Sequence, residues 1–235
     1  MIRKRLSTKL NLNSQSIGDT VGLILASSLH NVPFISSIDL SDNNLTDASI
    51  KALFEAIMNN QNIKEIDFSR NDLDHDSSEG LANYLASEKC SLVKLHLRAA
   101  DIDDSETVLF VDSLMKNSSL EDLDLSNNLI GKDETLNAVR PDTTTGGESI
   151  ANLLRTDTCG LKSLKLAWNM IRMQSAVDLS DSLSFNSTLT YLDISYNTIG
   201  TEGGTTLGRA LLTNKVLHII YLLIFVYKYL FHDFF

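Results

Sequence analysis

One spacing of aliphatic residues recurs along this chain and constrains its fold more than any other feature. The pattern is L-x-x-L-x-L-x-x-N-x-L, in which another large apolar residue can stand for each leucine. Five copies keep the asparagine, and two others carry Gln15 and Ala100 at that position. The steps between copies are 28, 28, 29, 28, 41 and 28 residues, measured at Leu10, Ile38, Ile66, Leu95, Leu123, Leu164 and Leu192. A period of this length predicts a solenoid of stacked repeats.

Each copy predicts one short strand followed by one helix. The L-x-L alternation gives a strand with one buried face, and strands one repeat apart stack as a parallel sheet. The asparagine amide both donates and accepts, so it can satisfy backbone groups that the following turn leaves unpaired. Ala100 therefore predicts a soft spot in the fourth copy, and Gln15 a frayed first copy. Apolar pairs four residues apart predict helices facing the sheet: Leu25/Leu29, Leu53/Ile57, Leu81/Leu85, Phe110/Leu114, Leu179/Leu183 and Leu207/Leu211.

These repeats resemble the ribonuclease-inhibitor-like subfamily of leucine-rich repeats over residues of about 7–214. The resemblance implies an α/β horseshoe, with parallel strands on its concave face and helices on its convex face. It also implies an intracellular protein-binding scaffold or adaptor, because most members bind proteins. The subfamily includes the Ran GTPase-activating protein and the sensor domains of innate-immune receptors. A regulator of a small GTPase and the sensor fragment of a multidomain receptor therefore remain alternatives, since a fold does not determine a partner.

The pattern divides the chain into a repeat domain over 1–215 and an apolar tail over 216–235. The single step of 41 residues indicates an inserted loop near 132–145, which includes Thr143, Thr144 and Thr145. That loop is either a tolerated insertion or a binding or regulatory element. The tail matches an eighth repeat at Leu217, Ile220 and Leu222 before the pattern fails. It is interpreted as a truncated repeat, an end cap or a tail anchor, although its uninterrupted apolar run is short for a membrane span.

Residues that flank the strand leucines are expected to face solvent on the concave side of the sheet. Lys94, His96 and Arg98 form one basic strand between acidic neighbours, which indicates either self-neutralisation or a charged site for a partner. Trp168 and Tyr196 occupy equivalent positions of adjacent repeats and either pack on each other or anchor an interface. The candidate partner-binding residues are Trp168, Tyr191, Asp193, Tyr196, Asp124, Lys165, His96 and Arg98.

Composition excludes several other classes of function. A net charge of −10 and a pI of about 4.9 disfavour binding to nucleic acid or anionic lipid. The five histidines and two cysteines form no metal-ligand motif, and no phosphate loop is present. We therefore expect a monomeric non-enzyme without catalytic residues, metal or cofactor. No secretory signal follows Met1, so the cytoplasm is expected, with the nucleus as an alternative if Arg3, Lys4 and Arg5 form a targeting signal. Membrane attachment is not expected unless the tail acts as an anchor.

Overall fold

A computed structural model describes residues 8–134 and 144–222 of the chain. Strands and helices alternate throughout these stretches. The strands are β1 (Lys9–Asn11), β2 (Ser37–Asp39), β3 (Glu65–Asp67), β4 (Lys94–His96), β5 (Asp122–Asp124), β6 (Ser163–Lys165), β7 (Tyr191–Asp193) and β8 (Ile219–Tyr221). The helices are α1 (Gly18–Leu29), α2 (Asp47–Ile57), α3 (His75–Ala86), α4 (Asp104–Leu114), α5 (Gly146–Leu154), α6 (Met173–Ser182) and α7 (Gly200–Thr213).

All eight strands form one open parallel sheet in chain order. The register follows the repeat, so each central aliphatic residue pairs with its equivalent in the next strand, as Ile38 does with Ile66. These central residues are buried in β2 to β7, and the residues on either side of them face the opposite surface of the sheet. This second surface is the concave face of the solenoid. The predicted α/β horseshoe of strands and helices is therefore confirmed.

The hydrophobic core lies between the sheet and the helices. Phe54, Phe68 and Tyr84 are fully buried, and the rings of Phe54 and Phe68 meet edge to face at 5.3 Å. The apolar helix pairs predicted from the repeat are buried in the middle of the solenoid. The prediction is wrong for Leu211, which is 38% exposed, because no further described helix covers that side of α7. Leu25, on the terminal helix α1, is only partly buried for the corresponding reason.

The repeat asparagines bridge each strand turn to the one before it. The Nδ2 of Asn128 donates to the carbonyls of Leu97 at 2.8 Å and Leu125 at 2.9 Å. Its Oδ1 accepts from the backbone amides of Ala100 at 2.9 Å and Ile102 at 3.2 Å. One buried amide thus serves two consecutive turns. Equivalent bonds to the preceding repeat are made by Asn43, Asn71, Asn169 and Asn197.

The two copies without asparagine differ in how they replace it. Ala100 is fully buried, and its backbone carbonyl accepts from the amide of Leu73 at 3.1 Å. In the preceding turn, the corresponding amide of Leu45 donates to the Asn71 side chain instead. The backbone therefore takes over part of the missing side chain's role in the fourth copy. Gln15 is exposed and donates to the carbonyl of Asn13, so its amide lies outside the asparagine ladder.

Carboxylates at the start of one helix also cap the next helix. Asp19 accepts from the amide of Thr46, and Asp47 accepts from the amide of Ser77, at 2.8 and 3.0 Å. Partial burial would raise the pKa of both carboxyls, but the hydrogen bonds outweigh it and hold each pKa below its ordinary value. A carboxylate at a helix start is stabilised by the unpaired amides there. The sequence analysis did not identify these caps between repeats.

One buried carboxylate holds both ends of the inserted loop. Asp104 is 3% exposed, and its Oδ1 accepts from the amides of Gly131 at 2.8 Å and Gly146 at 2.7 Å. Its Oδ2 accepts from the amide of Asp133 at 2.8 Å. The Arg172 guanidinium also donates to the backbone carbonyl of Glu134, the last described residue before the loop. Residues 135–143, including Thr143 of the predicted loop, lie outside the described residues.

The apolar tail begins inside the sheet. Ile220 of β8 pairs with Leu192 in the same register as the other repeats. The interpretations offered for the tail concern mostly residues 223–235, which lie outside the described residues. Arg3, Lys4 and Arg5, the possible targeting signal, lie outside them as well. The boundary between 215 and 216 stays a prediction. In the parts of the chain that the structure describes, no helix is long and apolar enough to cross a membrane.

Candidate functional site

A charged centre lies on the concave face, formed by His96, Arg98, Asp124 and Lys165 with the neighbouring Asp67 and Asp122. The Nδ1 of His96 lies 3.5 Å from the Asp67 carboxylate, and its Nε2 lies 3.7 Å from that of Asp122. The sequence places His96 opposite Asp124, and the backbone register confirms this. The imidazole nevertheless reaches diagonally to Asp122, while Asp124 pairs with Lys165 at 3.4 Å.

The two carboxylates keep His96 protonated at neutral pH. Contacts with Asp122 and Asp67 outweigh its partial burial and raise the pKa of His96 to about 9. His96 in turn lowers the pKa of Asp122 despite burial of that carboxyl. Burial raises the pKa of Asp67, but hydrogen bonds with His96 and Ser69 reverse this, and the net shift is downward. The centre therefore joins four strands, β3 to β6, through charges that largely neutralise one another.

Protonated His96 should stabilise the fold in a defined pH range. Its pKa is higher in the folded chain than in the unfolded chain, so the stabilisation is complete below about pH 6.5 and is lost as the pH rises through about 9. Between these limits, we expect the free energy of unfolding to fall by about 1 kcal/mol more in the parent than in His96→Gln, because partial exposure screens the pairs. Urea denaturation across this pH range measures the difference. A difference that does not vary with pH would contradict the assignment.

Arg98 is the member of the charged centre that lies at the strand-to-loop edge. Its side chain is exposed, and it lines a shallow hollow of about 280 Å³ together with His96, Asp124 and Arg70. The backbone amide of Arg98 donates to the Ser69 hydroxyl, which fixes the start of the loop. The hollow combines both signs of charge and is lined more by polar than by apolar groups. It is suited to polar contacts with a partner and offers little apolar surface.

Two stacked aromatic rings mark the other end of the concave face. Trp168 and Tyr196 have ring centroids 3.9 Å apart and ring planes inclined by 11°. Trp168 is nevertheless 52% exposed, so one face of the stack is covered and much of the indole meets solvent. The two alternatives considered for this pair are therefore compatible, because the rings pack on each other and still present an apolar surface.

The backbone under both rings is left-handed. The residue that follows each strand by three positions has a positive φ in all seven complete repeats, and φ is 58° at Trp168 and 57° at Tyr196. This conformation costs bulky residues about 1 kcal/mol or more, and asparagine, aspartate and glycine tolerate it better. Asp42 and Asn127 follow that preference at equivalent positions. Ser14, Arg70, Ala99, Trp168 and Tyr196 do not, and of these Trp168 and Tyr196 have the largest side chains.

A second aromatic pair lies across the last two strands. The rings of Tyr191 and Tyr221 are 5.7 Å apart, and Tyr221 is 53% exposed. Tyr221 is the register partner of Asp193, whose Oδ1 accepts from the amide and hydroxyl of Ser195 at 3.0 and 2.6 Å. We call the surface formed by Trp168, Tyr191, Asp193, Tyr196 and Tyr221 the aromatic end of the concave face.

Comparison with known proteins identifies the repeat. A family model described as a leucine-rich repeat matches residues 33–54, 116–133 and 185–208. The mouse protein NACHT, LRR and PYD domains-containing protein 4C is 29% identical over 194 residues, which are 83% of this chain and 18% of that protein. The chain is a leucine-rich-repeat protein of the ribonuclease-inhibitor-like type.

Other leucine-rich-repeat proteins are similar over comparable lengths. Protein CARMIL of Dictyostelium discoideum is 28% identical over 189 residues, which are 78% of this chain and 17% of that protein. This leucine-rich-repeat chain thus spans less than a fifth of the length of either relative. Among solved structures, an internalin from Listeria monocytogenes has a TM-score of 0.48 and 18% sequence identity, covering 83% of this chain and 55% of that chain.

The leucine-rich-repeat sheet arranges the eight candidate residues in two neighbouring groups. The candidate residues of the charged centre lie on β4 to β6 and in the turn after β4. Those of the aromatic end lie on β7 and in the turns after β6 and β7, and β8 adds Tyr221. The sequence analysis missed Tyr221, although the 28-residue step from Asp193 would have placed it. Among residues 8–134 and 144–222, no group of three or more His, Cys, Asp or Glu side chains is arranged to hold a metal ion.

Proposed function

We propose that this protein-interaction domain binds a partner protein through the aromatic end of its concave face. The observation that carries the proposal is the exposed stack of Trp168 on Tyr196, placed where the backbone is left-handed. Rigid aromatic side chains supply much of the affinity of protein interfaces because they bury a large area at small entropic cost. Trp168 remains 52% exposed in the stack, so this pair offers such an aromatic surface to a partner.

The charged centre supplies orientation in this proposal. Lys165 lies on the strand beside Asp193 and pairs with Asp124, so polar groups begin next to the aromatic end. His96 and Arg98 extend this polar surface toward β4. Charges at the edge of an interface select partners and steer their approach more than they add affinity. The proposed site therefore consists of an apolar anchor with a mixed-charge flank.

The proposed role is that of a monomeric scaffold or adaptor inside the cell, in the cytoplasm or the nucleus. It requires no cofactor and no catalytic residue, since a curved sheet with an aromatic anchor binds by surface complementarity. A second candidate role is the recognition region of a larger receptor. The names of the mouse relatives, which join leucine-rich repeats to NACHT and PYD domains, support that candidate.

The double variant Trp168→Asn/Tyr196→Asn tests the proposal. Asparagine adopts the left-handed conformation at lower energetic cost than an aromatic residue, so the variant should remain folded and lose only the rings. Proteins retained by the full parent chain from native cell lysate are identified by mass spectrometry, and the affinity of a purified partner is then measured by calorimetry. We expect at least thirtyfold weaker binding by the variant, equivalent to about 2 kcal/mol at the centre of an interface.

Phe185→Asn is the matched control for this experiment. Phe185 is 66% exposed but follows α6, on the helical side of the solenoid. Its replacement removes a comparable apolar surface outside the proposed site and should leave the affinity unchanged. Equal affinity of the parent and the double variant would refute the proposal. Equal loss in the double variant and in Phe185→Asn would show that binding depends on apolar surface in general.

A further inference from the structure

Asp193 is one of the acidic residues of the concave face that form no ion pair in the described part of the chain. Glu65 pairs with Lys94, Asp67 and Asp122 with His96, and Asp124 with Lys165. Within the stretches 8–134 and 144–222, no cation lies within ion-pair distance of the Asp193 carboxylate. Its hydrogen bonds come from the amide and hydroxyl of Ser195, and both donors are neutral. Asp193 therefore carries a negative charge that this part of the chain does not neutralise.

Aromatic residues neighbour Asp193 on its own strand, on the next strand and in the turns that follow β6 and β7. Tyr191 precedes Asp193 by two residues and faces the same side of the sheet, and Tyr221 is its register partner on β8. The stacked Trp168 and Tyr196 lie farther along the same strands, beyond Asp193. Partial burial and the Asp193 charge together raise the pKa of the Tyr191 hydroxyl, which places that ring within the electrostatic reach of the carboxylate. One negative charge thus has four aromatic residues in its neighbourhood, of which Trp168 and Tyr221 are more than half exposed.

Asp39 shows what the same position looks like without the rings. It occupies the central position of β2, as Asp193 does in β7. Its Oδ1 accepts from the Ser41 hydroxyl at 2.6 Å and from the Ser41 amide at 3.2 Å, the same local arrangement as at Asp193. Its neighbours across the sheet are Asn11 and Asp67. The serine-bonded aspartate is therefore shared by both ends, and the aromatic rings are particular to Asp193.

We propose that Asp193 and the surrounding rings receive an arginine side chain of a partner protein. A guanidinium is planar, stacks on aromatic faces and donates to a carboxylate through a fork of N–H groups. It is also weakly hydrated, so its transfer to an aromatic surface is less costly than that of an ammonium group. A carboxylate with aromatic residues on its own and the neighbouring strand offers both kinds of contact to this group. The inference rests on the proposed function and adds the chemistry of the partner.

The surrounding charge favours the same occupant. The chain carries a net charge of −10, which attracts basic partners over distance. The nearest described cation on the adjacent strand is Lys165, and Asp124 already neutralises it at 3.4 Å. A carboxylate of the partner would repel Asp193, and a purely apolar side chain would bury its charge with no cation to neutralise it. An arginine side chain would neutralise the Asp193 carboxylate and stack on the aromatic rings.

An NMR titration of the full chain tests this inference with two capped tripeptides, Gly-Arg-Gly and Gly-citrulline-Gly, at constant ionic strength. Citrulline keeps the planar shape of arginine but is neutral. The signals followed are the amides of Asp193 and Tyr221 and the indole N–H of Trp168, the only tryptophan. We expect saturable shifts with the arginine peptide and at least fivefold weaker binding of the citrulline peptide. Equal binding of the two peptides would overturn the inference.

Asp193→Asn and Asp39→Asn form a matched pair for this titration, because both positions have the same serine bonds. We expect Asp193→Asn to lower the affinity for the arginine peptide at least fivefold and Asp39→Asn to leave that affinity unchanged. Equal weakening in both variants would also overturn the inference, since it would show a general effect of charge. If Asp193→Asn keeps the affinity for a purified partner and Trp168→Asn/Tyr196→Asn loses it, the proposed function stands and the arginine assignment fails.

Discussion

Asp104→Ala is expected to lower the free energy of unfolding by about 3–5 kcal/mol, because it removes three hydrogen bonds from buried or half-buried backbone amides. Each amide left without an acceptor costs about 1–3 kcal/mol. The three donors are Gly131, Asp133 and Gly146, which lie on both sides of the inserted loop. The substitution should therefore release both ends of the loop together. Urea denaturation measures the stability, and hydrogen exchange at the two glycine amides locates the change.

Asp112→Ala is the matched control on the same helix. Asp112 is exposed on α4, and its replacement is expected to change the stability by less than about 0.5 kcal/mol. Asp104→Asn should fall between the two alanine variants, because the amide keeps one acceptor oxygen and loses the other. A loss of less than about 1 kcal/mol in Asp104→Ala would show that the loop ends find other acceptors. Unchanged exchange at Gly131 and Gly146 would lead to the same conclusion.

Asn128→Ala is expected to lower the free energy of unfolding by about 2–4 kcal/mol. The side chain is 5% exposed and bonds to four backbone groups at 3.2 Å or less, in two consecutive turns. Its loss leaves buried carbonyls and amides without partners, and it also opens a small cavity. The effect should exceed that of a typical surface substitution severalfold. Thermal and urea denaturation of the purified variant measure it.

Ala100 provides the converse test at the equivalent position of the preceding repeat. Ala100→Asn restores the repeat pattern, and we expect it to stabilise the chain by about 1 kcal/mol if the new amide bonds to the turn containing Leu73. The carbonyl of Ala100 already accepts from the Leu73 amide, so the gain should be smaller than the loss at Asn128. A destabilisation by Ala100→Asn would show that the turn has closed around alanine. A neutral Asn128→Ala would contradict the role assigned to the whole ladder.

The sequence predicted the sheet and its concave face because both depend on a local period. Alternating aliphatic residues and a constant step determine which residues lie side by side. The backbone register of Lys165 on β6 opposite Asp193 on β7 confirms this. The same rule placed Trp168 next to Tyr196 and would have placed Tyr221 next to Asp193. Register can be read from a repeat because each strand repeats the geometry of the previous one. Period alone therefore located every candidate residue at its position in the repeat, on a strand or in the turn that follows it.

Other features depended on side-chain directions that a period does not specify. His96 reaches diagonally to Asp122, and Asp104 bonds to loop ends more than 25 residues away, because rotamers and loop paths decide which groups meet. The left-handed backbone under Trp168 is likewise a property of the folded turn. The sequence by itself determined the solenoid, its register and the residues of the concave face. Only the tertiary structure decided which charges neutralise each other and which, like Asp193, have no ion pair among the residues that the structure describes.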